Sequence, residues 1–275
     1  MTLLDYTFIW KGLLSGLLIS ASTALIGVFL LMKRLSLIGA GLSHAAFGGI
    51  ALAILFNADP TLFTVFYTLL SGIILQYLIE SKGLPADTVI SLFFSVGVAL
   101  AVVILGITQN LGTNVYSYLF GSILTVSDTE LFSAVATSIF TFLFIFINYR
   151  KLLLISFNEE IATLRGVKVR VLNYMLVSVA SINIVFAIKA VGLILASSFI
   201  AIPPMSALLI CTSFFSTMMV SVSVSFIATV FGILLSLRLD IPPSGSVVLS
   251  MVFIFLIFTI WKVFLNLKKR SLRAF

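Results

Sequence analysis

The only histidine of the chain, His44, is the side chain best suited to metal chemistry. It lies in the apolar run 37–56, which is long enough to cross a bilayer. Ionisable groups inside a membrane are costly and usually face a bundle interior or a cavity. Neutral imidazole is also a common ligand of divalent transition metals. Two interpretations remain open: a metal ligand beside a pathway, or a packing histidine bonded to a carbonyl or to the Ser43 hydroxyl.

A second polar set interrupts the apolar run 191–212. Ser197 and Ser198 precede the pair Pro203 and Pro204, which lack backbone donors. Broken helices at membrane depth often line cavities. A single kinked helix, whose unpaired backbone groups contact neighbouring helices, explains these residues equally well. The sequence therefore leaves open two half-helices beside a pathway or one kinked helix.

The most charged interior stretch, residues 150–170, contains the pattern of a short amphipathic helix. Asn158 suits the N-cap position, and Glu159 and Glu160 suit the first turn. Gly166 suits the C-terminal cap. Its apolar side is formed by Ile161, Ala162 and Leu164. Such a helix lies on the membrane surface or docks a partner.

The composition of the chain predicts which secondary-structure elements position these residues. Hydrophobic residues make up 61% of the 275 residues and charged residues only 9%, against roughly 25% charge in a soluble domain. We predict one all-α transmembrane domain over residues 1–275, with about nine spans (eight to ten) and no separate soluble domain. The candidate spans are residues 12–32, 37–56, 61–79, 88–107, 131–147, 171–188, 191–212, 213–237 and 247–264.

Basic residues of short loops predict the orientation. With nine spans, Lys33, Lys82, the stretch 150–170 and the basic C-terminal tail share one side, which we assign to the cytoplasm. The net charge of +7 then reflects cytoplasmic loops and not nucleic-acid binding.

The lone Cys211 excludes an internal disulfide and a thiol metal cluster. No nucleotide-binding lysine loop, nucleophile elbow or metal-hydrolase motif is present, so we do not expect an enzyme.

The stretch EEIATLRG at 159–166 resembles the coupling segment of ATP-binding cassette importer permeases. The whole chain resembles the metal-ion branch of that family, the zinc, manganese and iron permeases. Three stretches carry this second resemblance, in the family's order and spacing and over nearly the full chain: LSLIGAGLSHAAFGGIA at 35–51, YLFGSILTVSD at 118–128 and VGLILASSFIAIPPMSA at 191–207.

This resemblance implies a type II importer permease in the cytoplasmic membrane that works as a homodimer. It implies two ATPase subunits, which bind ATP and Mg²⁺, and an external solute-binding protein. The chain itself would hold no cofactor, and a divalent metal would be the substrate. The implied coupling residues are Glu159, Glu160, Ala162 and Gly166. His44 is the implied metal ligand, and the candidates for lining the pathway are Ser43, Ser197, Ser198, Pro203 and Pro204.

One position departs from the family pattern. The family commonly has an aspartate one helical turn before the histidine, and this chain has Ala40. The metal is then held more weakly, another group substitutes, or the substrate differs. Two copies of His44 across a dimer axis would share one ion in a site weak enough to release it.

The competing classes are a secondary transporter, a permease for another substrate and a scaffold that transports nothing. A secondary transporter needs carboxylates inside the membrane. Here Asp and Glu lie only at the ends of spans, which argues against that class.

Overall fold

The computed structural model describes residues 7–108, 121 and 126–273, and all its regular elements are helices. Of the resembling stretch 118–128, residues 118–120 and 122–125 lie outside the described residues. The helices are α1 (Thr7–Met32), α2 (Ile38–Leu55), α3 (Pro60–Lys82), α4 (Ala86–Ile107), α5 (Asp128–Phe157), α6 (Glu159–Leu164), α7 (Val169–Val191), α8 (Leu193–Ile210), α9 (Phe214–Leu239) and α10 (Pro243–Arg273). Within these ranges nine helices, all but α6, are long and apolar enough to span a membrane, which confirms the predicted bundle.

Polar contacts show which helix ends lie together. Lys33 after α1 pairs with Glu159 of α6, and Arg170 of α7 donates to Ser81 of α3. At the opposite end Lys11 of α1 pairs with Asp128 of α5 at 2.6 Å. The loops at Lys33 and Lys82 and the stretch 150–170, all predicted as cytoplasmic, therefore share one end, called the basic end below.

The fifth span is longer than predicted. A capping box starts α5, because the Glu130 amide donates to Ser127 Oγ and the Ser127 amide donates to Glu130 Oε2. The helix then continues past the predicted end at residue 147 to Phe157. Arg150 and Lys151 do not end it, because both are exposed and long cationic side chains reach water from a helix end.

The two half-helices considered for residues 191–212 are not observed, since α8 is a single helix containing Pro203 and Pro204. Pro204 cannot donate to the carbonyl of Ile200 four residues earlier. That carbonyl instead lies against α1, where a Cβ added to Gly27 would be only 2.2 Å from it. Close contact with a neighbouring helix is how a proline is accommodated within a span.

A one-residue connection joins α7 to α8. Gly192 has φ 90° and ψ 161°, a backbone conformation that only glycine adopts readily. Its amide donates to the Ile188 carbonyl of α7 at 2.9 Å, and its carbonyl accepts from Ala196 of α8 at 3.0 Å. The two helices are therefore tied closely at this end.

A buried amide holds the centre of the bundle together. Asn183 of α7 is 1% exposed and accepts from Thr23 Oγ1 of α1 at 2.7 Å. Its Nδ2 donates to Ser22 Oγ at 3.0 Å and to Thr141 Oγ1 of α5 at 3.2 Å. Hydrogen bonds between helices are one of the main forces that associate them in lipid, where water offers no competing partner.

We predict that Asn183→Ala lowers the free energy of unfolding by about 1–3 kcal/mol, because it removes hydrogen bonds to three buried hydroxyls. Asn148→Ala is the matched control, since Asn148 bonds only the Phe144 carbonyl of its own helix and is half-buried. Thermal unfolding of the purified variants measures both effects. Equal shifts in the two melting temperatures would contradict the structural role of Asn183.

Candidate functional site

Glycines bring the backbone of α4 against that of α2 at His44. A Cβ added to Gly97 of α4 would lie 2.2 Å from the His44 carbonyl oxygen. One turn further along α2, a Cβ on Gly48 would lie 3.0 Å from the Gly97 oxygen. At the other side of His44, a Cβ on Gly41 would lie 2.8 Å from Ile90 Cγ2. The helices around His44 are therefore closely packed, and Gly97 is the tightest point.

The His44 imidazole is half-buried and rests on Phe94 of α4, with 4.0 Å between ring centroids and a tilt of 56°. Its Nδ1 is buried and has no hydrogen-bond partner among the described residues. The Ser43 hydroxyl is likewise buried without such a partner. The bond between His44 and Ser43 that a packing role would provide is therefore not formed, and the imidazole keeps a free nitrogen.

The metal-binding capacity of a single chain is small. Across the described ranges no group of three or more His, Cys, Asp or Glu side chains could hold a metal ion. Ala40, one turn before His44, supplies no donor atom. The arrangement offers one imidazole per chain, which suits transient binding and not a resident metal.

The polar residues of α8 form their hydrogen bonds within their own helix. The Ser197 and Ser198 hydroxyls both donate to the Ile194 carbonyl of their own helix, at 2.9 and 2.8 Å. Both serines are half-buried, and Pro203 and Pro204 are buried. The helix meets α2 through Ile200, whose Cβ lies 3.0 Å from a Cβ added to Gly39. These contacts place α8 beside the His44 helix without supplying a polar contact to His44 itself.

The predicted caps of α6 are present. Asn158 Oδ1 accepts from the Ile161 amide at 2.9 Å, which closes the first turn. At the other end the Val167 amide donates to Ala162 O at 3.0 Å and the Gly166 amide to Thr163 O at 2.9 Å. This pair of bonds is a Schellman motif, and it requires the left-handed backbone that Gly166 adopts at φ 75°. A six-residue helix too short to be stable alone is thus fixed at both ends.

The apolar residues of α6 do not form the single side that was expected. Ala162 is fully buried against the bundle, whereas Ile161 is 45% and Leu164 87% exposed. The helix therefore uses its smallest apolar residue to pack on its own chain. Its two large ones project from the basic end, as residues that contact a partner do.

One buried cation ties α6 to the bundle. The Lys33 side chain is only 9% exposed, forms an ion pair with Glu159, and donates to Asn173 Oδ1 of α7 at 2.7 Å. Asn173 Nδ2 in turn donates to Glu159 Oε1 at 3.2 Å. This three-residue node, called the Lys33 node below, links α1, α6 and α7. Because each charge keeps a partner, the partial burial of Lys33 is tolerated.

Sequence reasoning missed four residues that shape these sites: Phe94, Gly97, Lys33 and Asn173. Asn173 and Asn183 could have been identified from the sequence, since side-chain amides inside an apolar span usually bond another helix. Lys33 was assigned only to the basic loop. Nothing in the sequence pairs Gly97 with His44, because their contact depends on the register between α2 and α4.

We predict that Gly97→Ala forces α4 away from α2 and costs about 1–3 kcal/mol in unfolding free energy, because its Cβ would overlap the His44 carbonyl. Gly106→Ala on the same helix is the control, since no atom lies within 4 Å of its added Cβ. That control should gain stability by about 0.5–1 kcal/mol through helix propensity. A lower melting temperature for Gly97→Ala together with a higher one for Gly106→Ala would support the α2–α4 contact. A change in the same direction for both variants would contradict it.

Comparison with known proteins agrees with this architecture. The ABC 3 transport family matches residues 5–262. The manganese import system permease protein ScaB of Streptococcus parasanguinis is 29% identical over 253 residues, covering 92% of this chain and 90% of the relative. The high-affinity zinc uptake system membrane protein ZnuB of Buchnera aphidicola is 29% identical over 259 residues, covering 94% of this chain and 99% of the relative.

A solved structure shares the fold over almost the same extent. PsaBC from Streptococcus pneumoniae, in complex with Fab, superimposes with a TM-score of 0.82 at 28% identity, covering 93% of this chain and 92% of that chain. The predicted resemblance is confirmed, and the absence of an enzymatic motif is explained because the ATPase of such a system is a separate protein. The chain belongs to the ABC 3 transport family, as a multi-pass membrane permease.

Proposed function

We propose that this chain forms the membrane path of an ATP-driven importer of divalent manganese or zinc, and that His44 binds the ion in transit. The observation that carries the proposal is the free, buried Nδ1 of His44 on the closely packed α2–α4 pair. A buried polar atom without a partner is rare unless a ligand or water uses it. Imidazole nitrogen binds both metals, and the relatives described above are a manganese and a zinc permease.

A second copy of the chain would complete the site. One imidazole is too few ligands for a divalent ion, whereas a two-fold axis near His44 brings two together. The surface beside His44 supports this arrangement. Phe94 is 39% exposed, and Leu92 and Val96 on the same helix are 54% and 46% exposed. We propose that the partner copy meets α4 there, with Ser43 and the α8 residues Ser197, Ser198, Pro203 and Pro204 in the surrounding wall.

The basic end would receive the ATPases. Ile161 and Leu164 project from α6, and Glu160 is exposed beside them. An apolar side chain exposed to this extent contributes most when it enters a pocket of a partner. We propose that two ATPase subunits, which carry ATP and Mg²⁺, hold the two copies of α6, and that an external solute-binding protein delivers the ion at the opposite end.

The Lys33 node would transmit a displacement of α6 to the spanning helices. Ala162 and the caps at Asn158 and Gly166 make α6 a rigid projection, and Glu159 connects it to Lys33 at the end of α1. Helix α1 is among the most buried of the spans and packs against α5, α7, α8 and α9. A displacement of α6 by an ATPase would therefore reach the centre of the bundle through one ion pair.

The competing transport class lacks support. Within the described ranges every carboxylate lies at or next to a helix end, as Asp59, Asp87, Asp128 and Asp240 illustrate. A carrier driven by an ion gradient would need such a group at membrane depth.

We predict that His44→Ala reduces metal-stimulated ATP hydrolysis by the reconstituted complex roughly tenfold or more, because the ion loses its ligand. Ala40→Asp should raise metal affinity, since a carboxylate one turn away joins the imidazole. Asn148→Ala, a half-buried polar residue of α5, is the control for general damage. Unchanged stimulation in His44→Ala would reduce His44 to a packing residue.

The coupling proposal is tested by exchanging the charges of its ion pair. Lys33→Glu and Glu159→Lys should each lower the number of ions moved per ATP hydrolysed, because each places like charges together. The double exchange should restore that ratio, since the Asn173 amide can donate to one partner and accept from the other. Lys151→Glu, an exposed residue of the same end, is the control. Failure of the double variant to recover, with protein levels equal, would remove the node from the coupling path.

A further inference from the structure

A groove on the outer surface of the bundle runs between α3, α5 and α7, away from His44. Its volume is about 490 Å³. Its apolar lining is formed by Ile73, Phe140, Phe144, Met175, Val179 and Ile182. The three helices of the groove are all long and apolar enough to span a membrane, which would place this lining at the depth of lipid chains.

The length of the groove matches one membrane leaflet. Arg170 lies at its basic end and Ile182 at its inner end. The twelve residues between them on α7 correspond to about 18 Å of helix. Half of a hydrocarbon core is about 15 Å thick. An acyl chain that enters from the basic end would therefore fill the groove as far as the bilayer midplane.

Arg170 is the charged residue of the groove lining and lies at the basic end, where a lipid headgroup would lie. Arg170 is exposed and uses one guanidinium nitrogen on Ser81 Oγ, which leaves other donors free. Lys151 is also exposed and follows Phe144 by two helical turns, on the same side of α5. Tyr174 lines the groove one turn inside Arg170. Arg170 also borders a neighbouring depression beside α6, which is lined by Glu80, Glu159, Glu160 and Lys168. Glu80 is bonded there by Gln76 Nε2 at 3.1 Å.

We propose that this groove is a binding site for one anionic phospholipid of the leaflet at the basic end. One acyl chain packs between Phe140, Phe144 and Met175, and the phosphate contacts Arg170 and Lys151. Guanidinium groups bind phosphate in a fork geometry, and basic pockets between helices at this depth select anionic headgroups. The site does not depend on His44 or α6, so it stands apart from the transport proposal.

The test compares phosphatidylglycerol with phosphatidylcholine of identical chains, by native mass spectrometry of the purified chain. We expect roughly a tenfold preference of the wild type for retaining phosphatidylglycerol, and a loss of about fivefold of that preference in Arg170→Gln. Ser178→Phe, which places a ring in the groove without changing charge, should lower retention of both lipids.

Two matched variants separate lipid binding from structural damage. Ser81→Ala removes the hydrogen bond to Arg170 but keeps the charge, so the preference should persist. Arg34→Gln removes an exposed charge at the same end but outside the groove, and the preference should persist there too. Equal retention of the two lipids by the wild type would overturn the proposal. So would the same loss of preference in Arg34→Gln as in Arg170→Gln.

Discussion

The approach of α4 to α2 at Gly97 is the constraint on which the candidate site depends. Because no Cβ stands between the two backbones, the His44 carbonyl lies directly against Gly97. The same contact sets the imidazole on Phe94 and leaves its Nδ1 without a partner. A wider separation would admit lipid chains or other side chains between the helices, and the histidine would lose the surface that orients it.

Lipid as a solvent explains how the rest of the bundle is organised. Asn183, a polar group deep in the bundle, is paired within the protein through partners on two other helices. The Ile200 carbonyl, which Pro204 cannot bond, lies close to α1 at Gly27. Six buried polar side-chain atoms have no partner among the described residues, and His44 Nδ1 is the one whose chemistry favours a divalent transition metal. That chemistry is the physical reason for proposing His44 as a ligand.

Much of this architecture could be predicted from the sequence, because hydropathy over about 20 residues is a strong signal in a membrane chain. The caps of α6 were also predictable, since Asn158 and Gly166 act within a few residues of themselves. One prediction failed, because α5 continued past its predicted end at residue 147 as far as Phe157. At Pro203 the sequence had left two alternatives open, and the structure has a single helix, α8. The Lys33 node and Gly97 join residues far apart in sequence, so no local pattern reveals them.

The one-residue connection between α7 and α8 couples the movements of these two helices. A connection of one residue, Gly192, cannot extend when α7 slides along its axis. The adjoining end of α8 must therefore move with α7. A rotation about this point remains open to both helices, since only their common end is fixed. A small tilt at Asn173, near the basic end of α7, would thus become a matching tilt of the Pro203 segment. Gly192 lies at the end of α7 opposite to the basic end.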